Sequence, residues 1–159
     1  MQLLFVCTGN TCRSPLAEGI AREIIARRQI PDLDVQSAGT SAWPGSPASD
    51  GSLLVALEHD IDLAGHRAQP LTSQLVAASD VILTMGPYHL ENAEAMGGRG
   101  RSWLLSAFAD RSQARPISDP FGGDLEVYRA TYDELHQLIG AVIDRIVRER
   151  ADGSLHANG

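Results

Sequence analysis

Cys7-Thr8-Gly9-Asn10-Thr11-Cys12-Arg13-Ser14-Pro15 is the stretch on which the fold turns. Before it stands Leu3-Leu4-Phe5-Val6, a short apolar run of the kind that forms a buried parallel strand. After it, Pro15 suits the first turn of a helix, and Leu16, Ile20, Ile24 and Ile25 recur at helical spacing. The spacing predicts a helix from about Pro15 to Arg28, closed by Ile30-Pro31. A nucleophilic sulfur therefore ends a strand, a short loop follows, and Arg13 and Ser14 stand at the mouth of a helix.

That order of residues has an electrostatic consequence. A helix N-terminus carries partial positive charge and free N–H groups. A loop of converging N–H groups, Thr8 to Ser14, forms a concave anion site. A thiolate at Cys7 is stabilised there, so its pKa is expected to fall well below the free value. Arg13 adds a planar fork that fits two phosphoryl oxygens, and the Ser14 hydroxyl can donate to the sulfur. Gly9 and Asn10 tolerate the positive φ that such a tight loop requires. A cysteine ending a buried strand is, taken alone, more often an inert small hydrophobe. The spacing to Arg13-Ser14, with a strand before and a helix after, favours a nucleophile.

The bulk properties narrow the class. The 159 residues suffice for one core, expected over residues 1–150. The net charge is −7 and no lysine occurs, which argues against nucleic acid as a partner. Attraction for a phosphoryl group must then be local, from Arg13 and the helix end. Two cysteines, Cys7 and Cys12, are too few for a disulfide framework and match no zinc spacing. No apolar run reaches membrane-spanning length and no signal peptide precedes the first strand, so a cytoplasmic protein is expected, without membrane attachment. No Walker sequence is possible without lysine.

Outward from the first helix, Asp34–Ala38 reads as a second strand and Gly39–Pro47 as a loop containing Trp43. Trp43 either packs in the core or rims the pocket. A second helix is expected over Ala48–Glu58, with Leu53, Leu54 and Leu57 inward. Thr72 reads as the N-cap of a short helix through Val76. Asp80–Met85 is the third strand, Tyr88–Met96 a helix, and Ser102–Leu105 the fourth strand. Residues 107–123 read as a long loop, a feature often functional, and it carries Asp119-Pro120. Asp110 is the nearest rival carboxylate, and Asp124 suits the first turn of the last helix. That helix shows an apolar stripe of Leu135, Leu138, Ile139, Val142, Ile143, Ile146 and Val147. Residues 151–159 read as a disordered tail. Strands alternating with helices give an α/β protein with a parallel sheet.

The stretch V-C-T-G-N-T-C-R-S-P, with C-x5-R-S at the first strand–helix junction, resembles the low-molecular-weight protein tyrosine phosphatase family. Asp119-Pro120 matches the pair that supplies the family's general acid, and similarity runs in patches over about residues 2–148. Thr11 departs from the tyrosine-specific members, which carry an aliphatic residue there. It agrees with the bacterial protein arginine phosphatase branch, as does Asp119-Pro120-Phe121-Gly122-Gly123. The resemblance implies a flavodoxin-like three-layer sandwich, its four parallel strands in the order 2-1-3-4 with helices on both faces. The active loop would then lie at the carboxyl end of strand one, beside the switch in strand order. A histidine at position 66 would brace Asn10.

The implied chemistry has Cys7 attack phosphorus while Arg13 and the N–H groups of Thr8, Gly9, Asn10, Thr11, Cys12 and Ser14 hold the phosphoryl oxygens. Asp119 protonates the leaving group, and a phosphocysteine is then hydrolysed. No metal or cofactor is called for, because arginine and backbone dipoles neutralise the phosphate. The expected partners are phosphorylated proteins, with free phosphate released from a monomeric enzyme. Phosphoarginine is favoured over phosphotyrosine on Thr11. Arsenate reduction would need further cysteines, and none follows Cys12. A phosphate-binding or phosphocarrier module would not need an arginine and an acid that hasten hydrolysis. Cys12 is also placed to capture an oxidised Cys7 as a protective disulfide, unless it is simply a buried small residue.

Overall fold

The computed structural model describes residues 1–155. Four strands, β1 (Gln2–Cys7), β2 (Asp34–Gly39), β3 (Val81–Thr84) and β4 (Ser102–Leu104), pair in the order β2-β1-β3-β4. All three pairings are parallel. Among the described residues the α-helices are α1 (Arg13–Arg27), α2 (Asp50–Leu57), α3 (Ser73–Ala77), α4 (Pro87–Ala93), α5 (Leu105–Ala109) and α6 (Leu125–Asp152), with a π-helical stretch at Glu94–Gly98 after α4. This is the flavodoxin-like three-layer arrangement implied by the resemblance, with the strand order as expected.

Two cores flank the sheet because β1 is apolar and buried from Leu3 to Cys7 and strand side chains alternate between faces. Leu3, Phe5 and Cys7 join Val35, Val81 and Leu83 beneath α1, α2, α5 and α6. Leu4 and Val6 join Ala38 and Ile82 beneath α3 and α4. The stripe on α6 is buried as expected from Leu135 to Ile146, and Tyr128, Thr131 and Tyr132 extend it towards the N-terminus. Thr72 caps α3, its Oγ1 accepting from Leu75 N at 3.1 Å. Asp124 caps α6 through Val127 N, also at 3.1 Å.

Several local expectations need correction. On α2 the inward stripe is Ser52, Val55 and Ala56, whereas Leu54 and Leu57 are exposed and Leu53 only partly buried. Apolar residues fill every position from Leu53 to Leu57, so their pattern selects no face; the small side chains win because they allow close helix packing. The expected loop over 107–123 is shortened by α5 and by a 3-10 turn at Arg111–Gln113. Five residues are too few to show helical periodicity in sequence. The tail also starts later than expected: α6 continues through Asp152, Gly153 ends it with a left-handed φ of 76°, and Leu155 packs back on the core. Residues 156–159, which complete the expected disordered tail, lie outside the described residues. Among the described residues no helix is long and apolar enough to cross a membrane.

Candidate active site

Parallel pairing aligns the carboxyl ends of β1, β2 and β3, with Val6 opposite both Ala38 and Thr84. The loop Thr8–Cys12 leaves β1 at this edge and enters α1 at Arg13. Asn10 takes a φ of 55°, as expected, whereas Gly9 keeps an ordinary φ. Cys12, the residue before α1, makes no side-chain cap, so no side chain of its own competes for the helix's free N–H groups. Gly39 lets β2 approach this loop closely: a Cβ there would stand 2.4 Å from Thr8 O.

Asn10 has no exposed surface. Its Nδ2 donates to Ser14 Oγ at 2.8 Å and to Ser37 Oγ at 2.9 Å, and its Oδ1 accepts from Gln69 N at 2.9 Å. His66 Nε2 meets Asn10 O at 2.7 Å, the brace expected of it. Ser37 in turn donates to Glu18 at 2.6 Å. Ser14 Oγ, accepting from Asn10, lies 2.9 Å from Cys7 Sγ, to which its proton can be given, and 3.5 Å from Ala38 O, its other acceptor. Asn10 N–H points at the same sulfur from 3.3 Å.

These donors do not fix the acidity of Cys7 alone. The side chain is buried, and burial pushes the thiol above its ordinary pKa despite the pull of Ser14, Arg13 and the Asn10 amide. Burial thus opposes the low pKa expected from sequence. The donors and the helix end are legible in the sequence, but the depth at which the sulfur is buried is not.

Arg13 is also buried. Its Nη1 donates to Ile117 O at 2.8 Å and its Nη2 lies 3.7 Å from Asp119 Oδ2. Its Nε is buried and has no hydrogen-bond partner among the described residues. Ile117 N donates to Met85 O at 2.8 Å, which ties the loop after α5 to the end of β3. That loop carries Asp119, half-exposed, whose Oδ1 accepts from Phe121 N at 3.1 Å.

Cys7, Thr8, Gly9, Thr11, Cys12, Arg13, Asp119 and Phe121 line one cavity of about 210 Å³. Of the site residues read from sequence, Asn10 and Ser14 stand behind this wall, both without exposed surface. Asp110 stays outside, its carboxylate capping Ser112 N at 3.0 Å. Trp43 is exposed and does not pack in the core, which removes one of its two readings. Among the described residues no group of three or more His, Cys, Asp or Glu side chains is placed to hold a metal.

Two neighbours of the cavity carried no signal in the sequence. Tyr128 of α6 places its hydroxyl 3.4 Å from Cys12 Sγ and 3.3 Å from Ser49 Oγ. His89 of α4 places Nε2 2.8 Å from Thr8 Oγ1. Burial and the Arg13 charge push His89 down to about 4, against the opposing pull of Asp119, so the ring is neutral at pH 7.

Residues 2–152 match the family described as low molecular weight phosphotyrosine protein phosphatase. The chain belongs to that family. It is 35% identical over 152 residues to a protein-arginine-phosphatase of Bacillus subtilis, covering 94% of this chain and 99% of the relative. It is 38% identical to the low molecular weight protein-tyrosine-phosphatase PtpB of Staphylococcus haemolyticus, covering 88% and 96%. A solved mutant of the YwlE arginine phosphatase, with a phosphorylated active-site serine, superposes with a TM-score of 0.89 at 33% identity, covering 95% of this chain and 99% of that one. The chain is thus a phosphoprotein phosphatase, as the sequence reading expected.

Proposed function

We propose that this phosphatase hydrolyses phosphoarginine in proteins, with Cys7 as nucleophile, Arg13 as phosphoryl clamp and Asp119 as general acid. Its reaction begins with in-line attack of the Cys7 sulfur on phosphorus. The phosphoryl oxygens lie among the amides of Thr8 to Ser14, and the unpartnered Nε of Arg13 gains an acceptor there. As the P–N bond breaks, Asp119 gives its proton to the departing guanidine nitrogen. Water then attacks the phosphocysteine, its proton goes to Asp119, and the P–S bond breaks to release phosphate.

The attacking species is the Cys7 thiolate. Ser14 O–H and Asn10 N–H receive the charge as it appears on sulfur.

The observation that carries the choice of substrate is Thr11 on the cavity wall. Its Oγ1 lies over Gly9, 3.4 Å from where a Cβ would stand. A hydroxyl there offers a guanidine a hydrogen-bond partner and offers a phenyl ring nothing equivalent. A site that hydrogen-bonds its substrate discriminates against partners lacking those groups. Phe121 adds an aromatic face at the mouth, suited to a planar cationic group. Phosphotyrosine is the second reading, favoured by the 38% identity to a tyrosine phosphatase.

Turnover of matched phosphoarginine and phosphotyrosine peptides by wild type and Thr11→Ile tests the choice. The wild type is expected to prefer phosphoarginine, and the substitution to shift the kcat/KM ratio towards phosphotyrosine by about tenfold, within the range for a lost pocket contact. An unchanged ratio would remove Thr11 from the account. A wild type that prefers phosphotyrosine would favour the second reading.

A further inference from the structure

His89 takes no part in the reaction as described, yet it is buried against the phosphoryl loop. A neutral imidazole carries one proton, and its two nitrogens stand in different surroundings. Nε2 faces Thr8 Oγ1 at 2.8 Å. Nδ1 is buried and has no hydrogen-bond partner among the described residues. A proton on Nδ1 would be a buried N–H without an acceptor, a rare and costly arrangement. A proton on Nε2 leaves only a bare lone pair at Nδ1 and gives Thr8 a donor. The protonated nitrogen is therefore Nε2, and the Thr8 oxygen is its acceptor.

Thr8 then has one hydroxyl proton left to place. Its oxygen has no second hydrogen-bond partner among the described residues, and its side chain belongs to the loop lining the cavity with Cys7, Arg13 and Asp119. We propose that His89 is a positioning residue that turns the Thr8 hydroxyl proton into the cavity, where it donates to a phosphoryl oxygen of the substrate. This rests on the reading of the cavity as the phosphoryl site. Most donors in such a loop are backbone amides, fixed by the fold. The Thr8 hydroxyl can rotate, and a neighbour that occupies its lone pair removes that freedom. The donor is set before substrate arrives, and no reorganisation is needed when charge develops on the oxygen.

Two measurements test this without depending on which phosphoprotein is the substrate. The first is the ring 15N spectrum of His89 in the free protein and with saturating inorganic phosphate. Protonation at Nε2 is expected in both. Protonation at Nδ1 would make Thr8 the donor to the ring, leave no proton for the cavity, and overturn the proposal. The second is inorganic phosphate affinity, read as protection of Cys7 from alkylation, in Thr8→Val, His89→Phe, the double variant and His89→Gln. Each of the first two is expected to weaken phosphate binding by about tenfold, the size of one hydrogen bond to a charged group. The double variant is expected to be no weaker than either, and His89→Gln, which keeps an N–H donor, to recover most of the loss. Additive losses would overturn the proposal, as would a folded His89→Gln no better than His89→Phe. Wild-type protein that binds phosphate but hydrolyses no phosphopeptide would instead sink the phosphatase mechanism, and the two arms would still judge His89.

Discussion

The loop from Cys7 to Ser14 and the loop from Ala114 to Asp124 close on one cavity, but the first is cross-braced throughout, whereas the second is anchored in its first half, at Arg115 and Ile117, and beyond them bonds mainly to itself. Asn10, without exposed surface, takes hydrogen bonds from or gives them to Ser14, Ser37, Gln69 and His66. Thr11 O accepts from Ser49 N at 2.8 Å, and Ser52 Oγ donates to Cys12 O at 3.2 Å. In the second loop Ile117 is buried and held by Arg13 and Met85. Beyond it, Phe121 N bonds Asp119 and Gly123 N bonds Pro120, both within the loop itself. Phe121 is 76% exposed. The part that must match phosphate is braced before substrate binds, and the part that must meet different leaving groups, Asp119 to Gly123, hydrogen-bonds mainly within itself. Local stability follows the density of such contacts.

Substitutions in the two loops should therefore fail differently. Asp119→Asn is expected to cut kcat for phosphoarginine by about 10²–10³, the range for a general acid, without changing the urea midpoint. Asn10→Ala should lower both activity and stability, by about 3 kcal/mol, since it strands several buried polar groups at once. A loss of activity with unchanged stability in Asn10→Ala would contradict the rigid role of the first loop. Phe121→Ala is expected to have the smallest effect, a few-fold rise in KM with kcat kept, because the ring only rims the cavity.

Acid should also separate the two regions. His89 titrates at about 4 in the folded protein against an ordinary 6.5, so it favours the folded state when neutral. That contribution is complete above about pH 6.5 and is lost as pH falls through about 4, amounting to about 3 kcal/mol. Denaturation curves at pH 7 and pH 4 should show this loss in wild type and less of it in His89→Gln.

What the sequence disclosed divides along the same line. The strand, the Cys7–Ser14 loop and α1 are adjacent in the chain, and their apolar run, helical spacing and C-x5-R-S pattern are local signals. Asp119 was found through its Asp-Pro pair and the resemblance, since its approach to Arg13 depends on a loop with no periodicity. His89 and Tyr128 were missed because nothing near them in sequence speaks of a site. The first is brought to Thr8 by the parallel pairing of β1 with β3, and the second to Cys12 by the packing of α6. The desolvation of Cys7 is hidden for a related reason: donors can be counted in a sequence, but burial requires the packed core.

The central claim is that Cys7 itself accepts the phosphoryl group. Rapid quenching of Asp119→Asn during turnover of 4-nitrophenyl phosphate, followed by peptide mass analysis, measures this directly. That leaving group needs no acid, so the first step proceeds, while loss of the base slows hydrolysis. A burst of 4-nitrophenol and one phosphate per chain on Cys7 are expected. Phosphate on another residue, or turnover with neither burst nor phosphoenzyme, would contradict it.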